Sequence, residues 1–294
     1  MNKICSEKMS LGTAQFGLNY GIANKNGRMK EEDVYEVLRY AGEAGIRHLD
    51  TAYAYGDSEK MIGDFLSGHK ARFNVVSKMP DIDGGSFSSV DKYFAETLRR
   101  LGTGRIYGYL AHRVDNVLSK EGFWPALESI KEKGLAEKIG VSIYTPMELE
   151  LILERKINFD IIQIPYNVFD RRFEEYFPML HGRGIEIHVR SVFLQGLFFL
   201  DAERISREFG TARHNIEEMR HIAEEHDFSV KTLCLCFALL NPLIDKVIIG
   251  VDSPAQLKEN VDSVRQIDEV KKIYDRLGSL QLHDENVILP YKWQ

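Results

Sequence analysis

Eight short apolar or β-branched runs, each followed by a longer amphipathic segment, predict an α/β chain folded as a single (β/α)8 TIM barrel. Two further observations select the barrel. No run is followed by a G-x-G-x-x-G turn that opens a helix, which disfavours an open, doubly wound dinucleotide sheet. No Pro/Gly/Ser linker or charge run divides the 294 residues. One domain over 1–294 is therefore expected, with the barrel core at 9–264 and a C-terminal helix and tail at 265–294.

The units follow in order. Residues 10–14 precede a helical pattern at 30–44, 46–50 precede 58–66, and 73–78 precede 88–101. Residues 107–112 precede 123–133, 136–142 precede 147–154, and 160–165 precede 173–181. Strand 185–190 precedes two helical patterns, 215–226 and 230–240, so an extra helix lies before or around the seventh. Strand 246–250 precedes 254–264. The unbroken run Val247-Ile248-Ile249 suits a strand buried on both faces. Gly102-Thr103-Gly104 follows a helix and precedes a strand, so it reads as a helix stop. The long, partly apolar connection 191–212 is expected to act as a lid.

Composition narrows the function. Lysine and arginine number 38 against 44 acidic residues, a net charge of -6, whereas a nucleic-acid surface needs a clear basic excess. The three cysteines, Cys5, Cys234 and Cys236, read as reduced thiols, the last two as small buried hydrophobes. There is no His-Glu-x-x-His and no Cys-x-x-Cys, and His221 and His226 do not share a helical face, so no metal is expected. No apolar run approaches the ~20 residues of a membrane span. The first seven residues show no apolar signal region, and a cytoplasmic protein is expected.

In a barrel, chemistry sits at the carboxyl ends of the strands. Strand two ends in Asp50, with Tyr55 in the following loop; strands three and four end in Lys78 and His112. A carboxylate, a phenol, an ammonium and an imidazole thus converge on one rim. A tyrosine with a reference pKa near ~10 is a reluctant acid at neutral pH. A nearby ammonium lowers that value, and a carboxylate keeps the ammonium charged and oriented. The imidazole can hold a carbonyl oxygen beside the phenol. This set suits protonating an oxygen while a hydride reaches its carbon.

These residues also carry a resemblance. Gly45-Ile46-Arg47-His48-Leu49-Asp50-Thr51-Ala52-Tyr53-Ala54-Tyr55-Gly56 resembles the aldo-keto reductase signature G-x-x-x-x-D-T-A-x-x-Y-G. Val75-Val76-Ser77-Lys78, Leu110-Ala111-His112-Arg113, Ile139-Gly140-Val141-Ser142 and Gln163-Ile164-Pro165-Tyr166-Asn167 follow at matching spacing. Gln195-Gly196-Leu197 and Gly250-Val251-Asp252-Ser253-Pro254 through Glu259-Asn260 complete it. The resemblance implies an NAD(P)H-dependent oxidoreductase that reduces an aldehyde or ketone. Tyr55 would be the general acid, Lys78 its partner, Asp50 the lysine's support and His112 the carbonyl's anchor. Ser142 and Gln163 would hold the nicotinamide carboxamide, with Arg190 at the nicotinamide position. Ser191, Gln195, Gly196 and Leu197 would strap the pyrophosphate. Gly250, Ser253, Gln256, Glu259 and Asn260 would serve the adenosine half. Ser253 as N-cap and Pro254 at the first helical position independently suit an anion-ready helix start.

The chain departs from the pattern in three places. Ile143 stands where the family often has asparagine, Arg190 stands where an aromatic commonly stacks, and Gly250, Val251 and Gln256 replace a cationic 2′-phosphate clamp, with Asp252 adding a carboxylate. Family habit favours NADP(H), with NAD(H) as the alternative. Phe16, Tyr20, Trp124 and Tyr166 are the aromatic candidates for the wall of a substrate pocket. The opening Leu11-Gly12-Thr13-Ala14-Gln15-Phe16-Gly17 looks like a bacterial branch of the family whose substrates include sugar derivatives. The short tail suggests an open pocket. The second reading is a nucleotide-sensing regulatory subunit of the same fold with little turnover; the intact tetrad weighs against it.

Overall fold

The computed structural model describes residues 3–24, 26–81 and 87–293. Its strands are β1 (Met9–Gly12), β2 (His48–Asp50), β3 (Asn74–Met79), β4 (Ile106–Ala111), β5 (Ala136–Ser142), β6 (Ile161–Pro165), β7 (Glu186–Arg190) and β8 (Lys246–Gly250). They pair in parallel in chain order, and β1 pairs with β8, Ser10 opposite Ile248, to close the barrel. The register sets Gly12 level with Asp50, Ser142 level with Gln163, and Pro165 level with Arg190. The polar strand ends therefore gather at one mouth. The opposite end is plugged by Glu186, which accepts hydrogen bonds from Tyr107 at 2.7 Å, Lys138 at 2.5 Å and His188 at 3.1 Å.

β2 starts later than its apolar run suggests. The preceding helix, Glu31–Glu43, ends at Gly45, whose φ of +84° lies in the left-handed region. Gly45 then donates to Gly42 and Ile46 donates back to Ala41 at 2.9 Å, the paired bonds of a Schellman ending. Ile46 is thus committed to sealing the helix and is fully buried there. The same returning bond recurs from Thr103 to Leu98, Leu135 to Ile130, Ile157 to Ile152 and Ile185 to Leu180. One device turns the chain from helix to strand in five of the units, and the Gly102 stop is one of them.

The expected extra helix is present. Three helices lie between β7 and β8: Ala202–Glu208, Arg213–Glu225 and Val230–Leu240. The last is capped by the Ser229 hydroxyl, which accepts from the Thr232 amide, and it is apolar almost all round. Cys234 and Cys236 are fully buried in it; the Cys5 side chain lies outside the described residues. The tail is less open than its length implies. Short helices Ile267–Lys271, Tyr274–Gly278 and Glu285–Ile288 bury Leu277, Val287, Ile288 and Leu289. The chain then returns to the rim, where Tyr291 meets Tyr144 edge-on at 5.0 Å. No helix among the described residues is long and apolar enough to cross a membrane.

Packing between crossover helices depends on close backbone approach. A Cβ added at Gly63, in the helix Ser58–Gly68, would lie 2.2 Å from the Arg100 carbonyl oxygen of the helix Phe87–Leu101. At Gly134, with φ +69°, a Cβ would meet nothing within 4 Å. Gly134→Ala should therefore lose only the left-handed backbone term, about 1 kcal/mol. Gly63→Ala must push two helices apart, a cost of about 1–3 kcal/mol. Denaturant midpoints with unchanged slopes should rank the two in that order.

Candidate active site

The mouth of the barrel holds a buried ion pair. Lys78, near the end of β3, is 0% exposed, and Asp50, at the end of β2, is 5% exposed. The ammonium donates to both carboxylate oxygens, at 2.8 and 2.7 Å, and to the Thr51 carbonyl at 2.8 Å. Gln163 of β6 donates to the same carboxylate at 2.7 Å. All three ammonium hydrogens are engaged, which offsets much of the penalty for burying the charge. Burial still holds the Lys78 pKa below the ordinary lysine value, with Asp50 opposing it.

Tyr55 stands above this pair, with Lys78 Nζ 5.2 Å from the centre of its ring. Its loop is clamped by a backbone dovetail. A Cβ at Gly17 would overlap the Tyr55 carbonyl oxygen at 1.8 Å, and one at Gly56 would reach the Gly17 carbonyl oxygen at 2.6 Å. Two glycines thus let the turn after β1 and the tyrosine loop share one space. His112, just beyond β4, meets Tyr55 edge-to-face at 5.7 Å and 81°.

The electrostatics differ from expectation in one respect. The Tyr55 phenol is raised above its ordinary pKa, first by burial and then by Asp50. Burial and the Asp50 carboxylate outweigh the lowering expected from a cation, and the cation that does lower the value is Arg190. Tyr55 is thereby kept protonated. His112 is pushed down to about 3 by burial and by the charges of Lys78, Arg190 and Arg113. It is a neutral imidazole at ordinary pH, able to donate from one nitrogen.

A cavity of about 670 Å³ opens beside these groups. Its floor includes Gly12, Asp50, Arg190 and Gly250, the last residues of β1, β2, β7 and β8, so it lies at the carboxyl mouth. Tyr55 lines one part, and Gln256, Glu259 and Asn260 line another. Segment 191–201 and the loop after β1 form its cover. They are tied to each other: the Ile22 amide donates to Gln195 at 3.0 Å, and Arg204 donates to the Ile22 carbonyl at 3.2 Å. Ser191, Leu194 and Gln195 take positive φ there, at 61°, 44° and 51°, a conformation costly for such residues and sustained by these ties.

Of the expected cofactor residues, Arg190, Ser191, Gln195, Gly196, Gly250, Gln256, Glu259 and Asn260 line this cavity. Ser142 and Gln163 are buried next to one another in register, and Gln163 is engaged with Asp50. Leu197 is fully buried packing beneath the cover, and Ser253 caps the helix Pro254–Ser263 by accepting from the Gln256 amide. The residues present fit a dinucleotide on one telling point: the Asn260 side-chain oxygen is buried at the cavity wall with no partner. Among the described residues, no group of three metal-ligating side chains exists.

The aromatic pocket is only partly where it was expected. Tyr20 lines the cavity and reaches the Gln195 side chain. Phe16 and Tyr166 are fully buried and Trp124 is 5% exposed. Tyr166 stacks on Phe237 at 5.6 Å and donates to Glu174, so it packs the wall between barrel and helices. These three are core residues: Phe16 and Trp124 are buried on the short helix Ala14–Gly17 and the helix Phe123–Glu132, and Tyr166, just past β6, packs onto Phe237. Thr13, Gln15, Asn24, Asp201, Arg204 and Lys231 line the cavity without having been singled out from the sequence; Gln15 and Asn24 sit in the loop after β1, a position that alone would have flagged them.

A closed barrel thus gathers a carboxylate, a phenol, an ammonium and an imidazole at its carboxyl mouth. The chain belongs to the aldo/keto reductase family, whose model matches residues 8–275. It is 26% identical to an uncharacterised oxidoreductase of Bacillus subtilis, YqkF, over 96% of this chain and 97% of that protein. It is 27% identical to a D-threo-aldose 1-dehydrogenase of a Pseudomonas species, over 85% and 90% respectively. The fold is shared with the aldo-keto reductase AKR11C1 of Bacillus halodurans in its holo form, at a TM-score of 0.73, 22% identity and coverage of 95% and 94%.

Removing one member of the buried pair strands the other. Lys78→Met should destabilise the protein by about 3–5 kcal/mol. The double variant Lys78→Met/Asp50→Asn should recover most of that loss, because no uncompensated charge remains. Denaturant unfolding of wild type, single and double variants reads the difference.

Proposed function

We propose that the protein is an NAD(P)H-dependent carbonyl reductase. The observation that carries this reading is the fully buried Lys78–Asp50 pair beneath a protonated Tyr55 that faces a neutral His112. When bound, the reduced nicotinamide supplies a hydride to the carbonyl carbon. His112 donates a hydrogen bond to the carbonyl oxygen and sets it beside the phenol. Tyr55 then gives its proton to that oxygen as negative charge develops there, and the alcohol is complete. Lys78 offsets the charge left on the phenolate, and Asp50 keeps the ammonium aimed at it. A phenol with a raised pKa is a weak acid in the resting state, and it becomes a donor only against a forming alkoxide, which is the stronger base. Asn260 and the helix start at Pro254 would hold the far end of the dinucleotide, and segment 191–201 would cover it. The D-threo-aldose 1-dehydrogenase similarity makes hydroxylated, sugar-derived carbonyls reasonable first substrates.

NAD(H) is the coenzyme this cavity suits. Its wall offers one lysine at the Gln256–Asn260 end, Lys231, and that ammonium is bonded to Glu259. Asp252 places a carboxylate on the same wall, bonded through Gln256. A 2′-phosphate there would meet acidic groups without the guanidinium fork that such a group calls for. The NADP(H) preference expected from family habit therefore gives way to NADH in this reading.

Tyr55→Phe removes the proton and leaves the ring. Turnover of model aldehydes should fall by about 10²–10⁴-fold while coenzyme affinity is retained, and equal rates would sink the assignment. Parallel titration by coenzyme fluorescence should show NADH binding at least about tenfold tighter than NADPH, with Asp252→Ser narrowing the gap. Equal or tighter NADPH binding in the wild type would overturn the coenzyme reading.

A further inference from the structure

Among the described residues that line the cavity, Arg190 is the cation without an ion-pair partner, since Arg204 is paired with Glu208 and Lys231 with Glu259. Arg190 ends β7 and lines the cavity together with Tyr55 and Asp50. Its guanidinium lies over the Tyr144 ring at 4.1 Å. One terminal nitrogen donates to the Ile143 carbonyl at 3.1 Å, and the other reaches the Ser191 hydroxyl at 3.4 Å. All three partners are neutral, and Arg190 forms no ion pair with any described residue. Lys78, deeper in the mouth, is paired with Asp50. The Arg190 charge is felt at Tyr55, Lys78 and His112 alike.

The guanidinium is also held rigidly. Tyr144, its platform, is buttressed edge-on by Tyr291 at 5.0 Å, and its carbonyl accepts from Arg172 at 3.2 Å. Arg172 is itself paired with Asp170 at 2.8 Å. The C-terminal tail and the loop after β6 thus fix the plane of Arg190, leaving its remaining N–H groups uncommitted. A preorganised fork that carries unspent donors beside the reacting groups is built to receive an oxyanion.

We infer that Arg190 selects the substrate: it binds a carboxylate or phosphate group carried by the carbonyl compound, so that the enzyme reduces anionic aldehydes or ketones. This rests on the carbonyl-reductase reading for its turnover and on the geometry of Arg190 alone for its binding. The departure from an aromatic at this position then has a purpose, since a planar cation keeps a flat face while adding charge.

The test compares pairs that share a ring and differ in charge: 4-carboxybenzaldehyde against methyl 4-formylbenzoate, and 4-formylphenyl phosphate against 4-methoxybenzaldehyde. Wild type should favour the anionic member of at least one pair by about tenfold in kcat/KM, through KM, since one lost charged hydrogen bond is worth about that factor. The pair that responds tells carboxylate from phosphate. Arg190→Gln should bring that ratio close to its value in free solution reactivity, and Arg190→Lys should keep part of it. Isothermal titration with benzoate and benzamide reads binding without turnover: benzoate should weaken about tenfold in Arg190→Gln, and benzamide should not respond. If no aldehyde is turned over but benzoate binding depends on Arg190, the reductase reading fails and the anion site stands. Charge preference absent in wild type, preserved in Arg190→Gln, or replaced by a loss confined to NADH affinity would each overturn the proposal.

Discussion

The catalytic end of this barrel depends on one buried ion pair. Lys78 and Asp50 sit where neither could be tolerated alone, and each makes the other's burial acceptable. Burial, and then the Asp50 carboxylate of the pair, hold the Tyr55 phenol above its ordinary pKa. Gln163, which bonds the same carboxylate, ties the pair to β6 and spreads the constraint across the barrel. The imidazole of His112 stays neutral in the same low-dielectric setting, so that one burial effect holds both the phenol and the imidazole uncharged.

Much of this was legible in the sequence, for a geometric reason. In a parallel barrel the last residue of every strand points to one mouth, so the positions of Asp50, Lys78, His112, Ser142 and Arg190 at run ends sufficed to gather them. The start of β2 was misjudged because Ile46 serves the preceding helix, a choice made by the left-handed turn at Gly45. Side-chain direction was the harder matter. Phe16, Trp124 and Tyr166 lie near the rim in sequence, yet they turn into the core, and nothing in a one-dimensional pattern tells an inward aromatic from an outward one. The Tyr55 pKa moves against expectation for a related reason: burial is its largest cause, and burial is not visible in a one-dimensional pattern. The Tyr291–Tyr144–Arg190 stack joins distant segments, and only the folded chain brings them together.

The position of the tyrosine is set by backbone. Gly17 and Gly56 interlock with the loop that bears Tyr55, and this contact explains why the tyrosine is followed by glycine. It also explains why a loop, usually the mobile part of a fold, can carry a group that must be held to a fraction of an ångström. The cover over the cavity is the complementary case. It is anchored by a few hydrogen bonds and held in costly left-handed conformations at Ser191, Leu194 and Gln195.

The burial of Lys78 and Asp50 has a consequence for how the protein senses its medium. Mobile ions screen charges that water can reach, over about 8 Å at physiological ionic strength. They have little access to a pair whose ammonium is fully buried and whose carboxylate is 5% exposed at the cavity floor. That pair is thus screened less than the charges on the surface of the chain. Arg190, half-buried at the cavity wall and without an ion pair among the described residues, is open to the solvent. Ionic strength therefore acts more on the Arg190 guanidinium than on the ion pair below it.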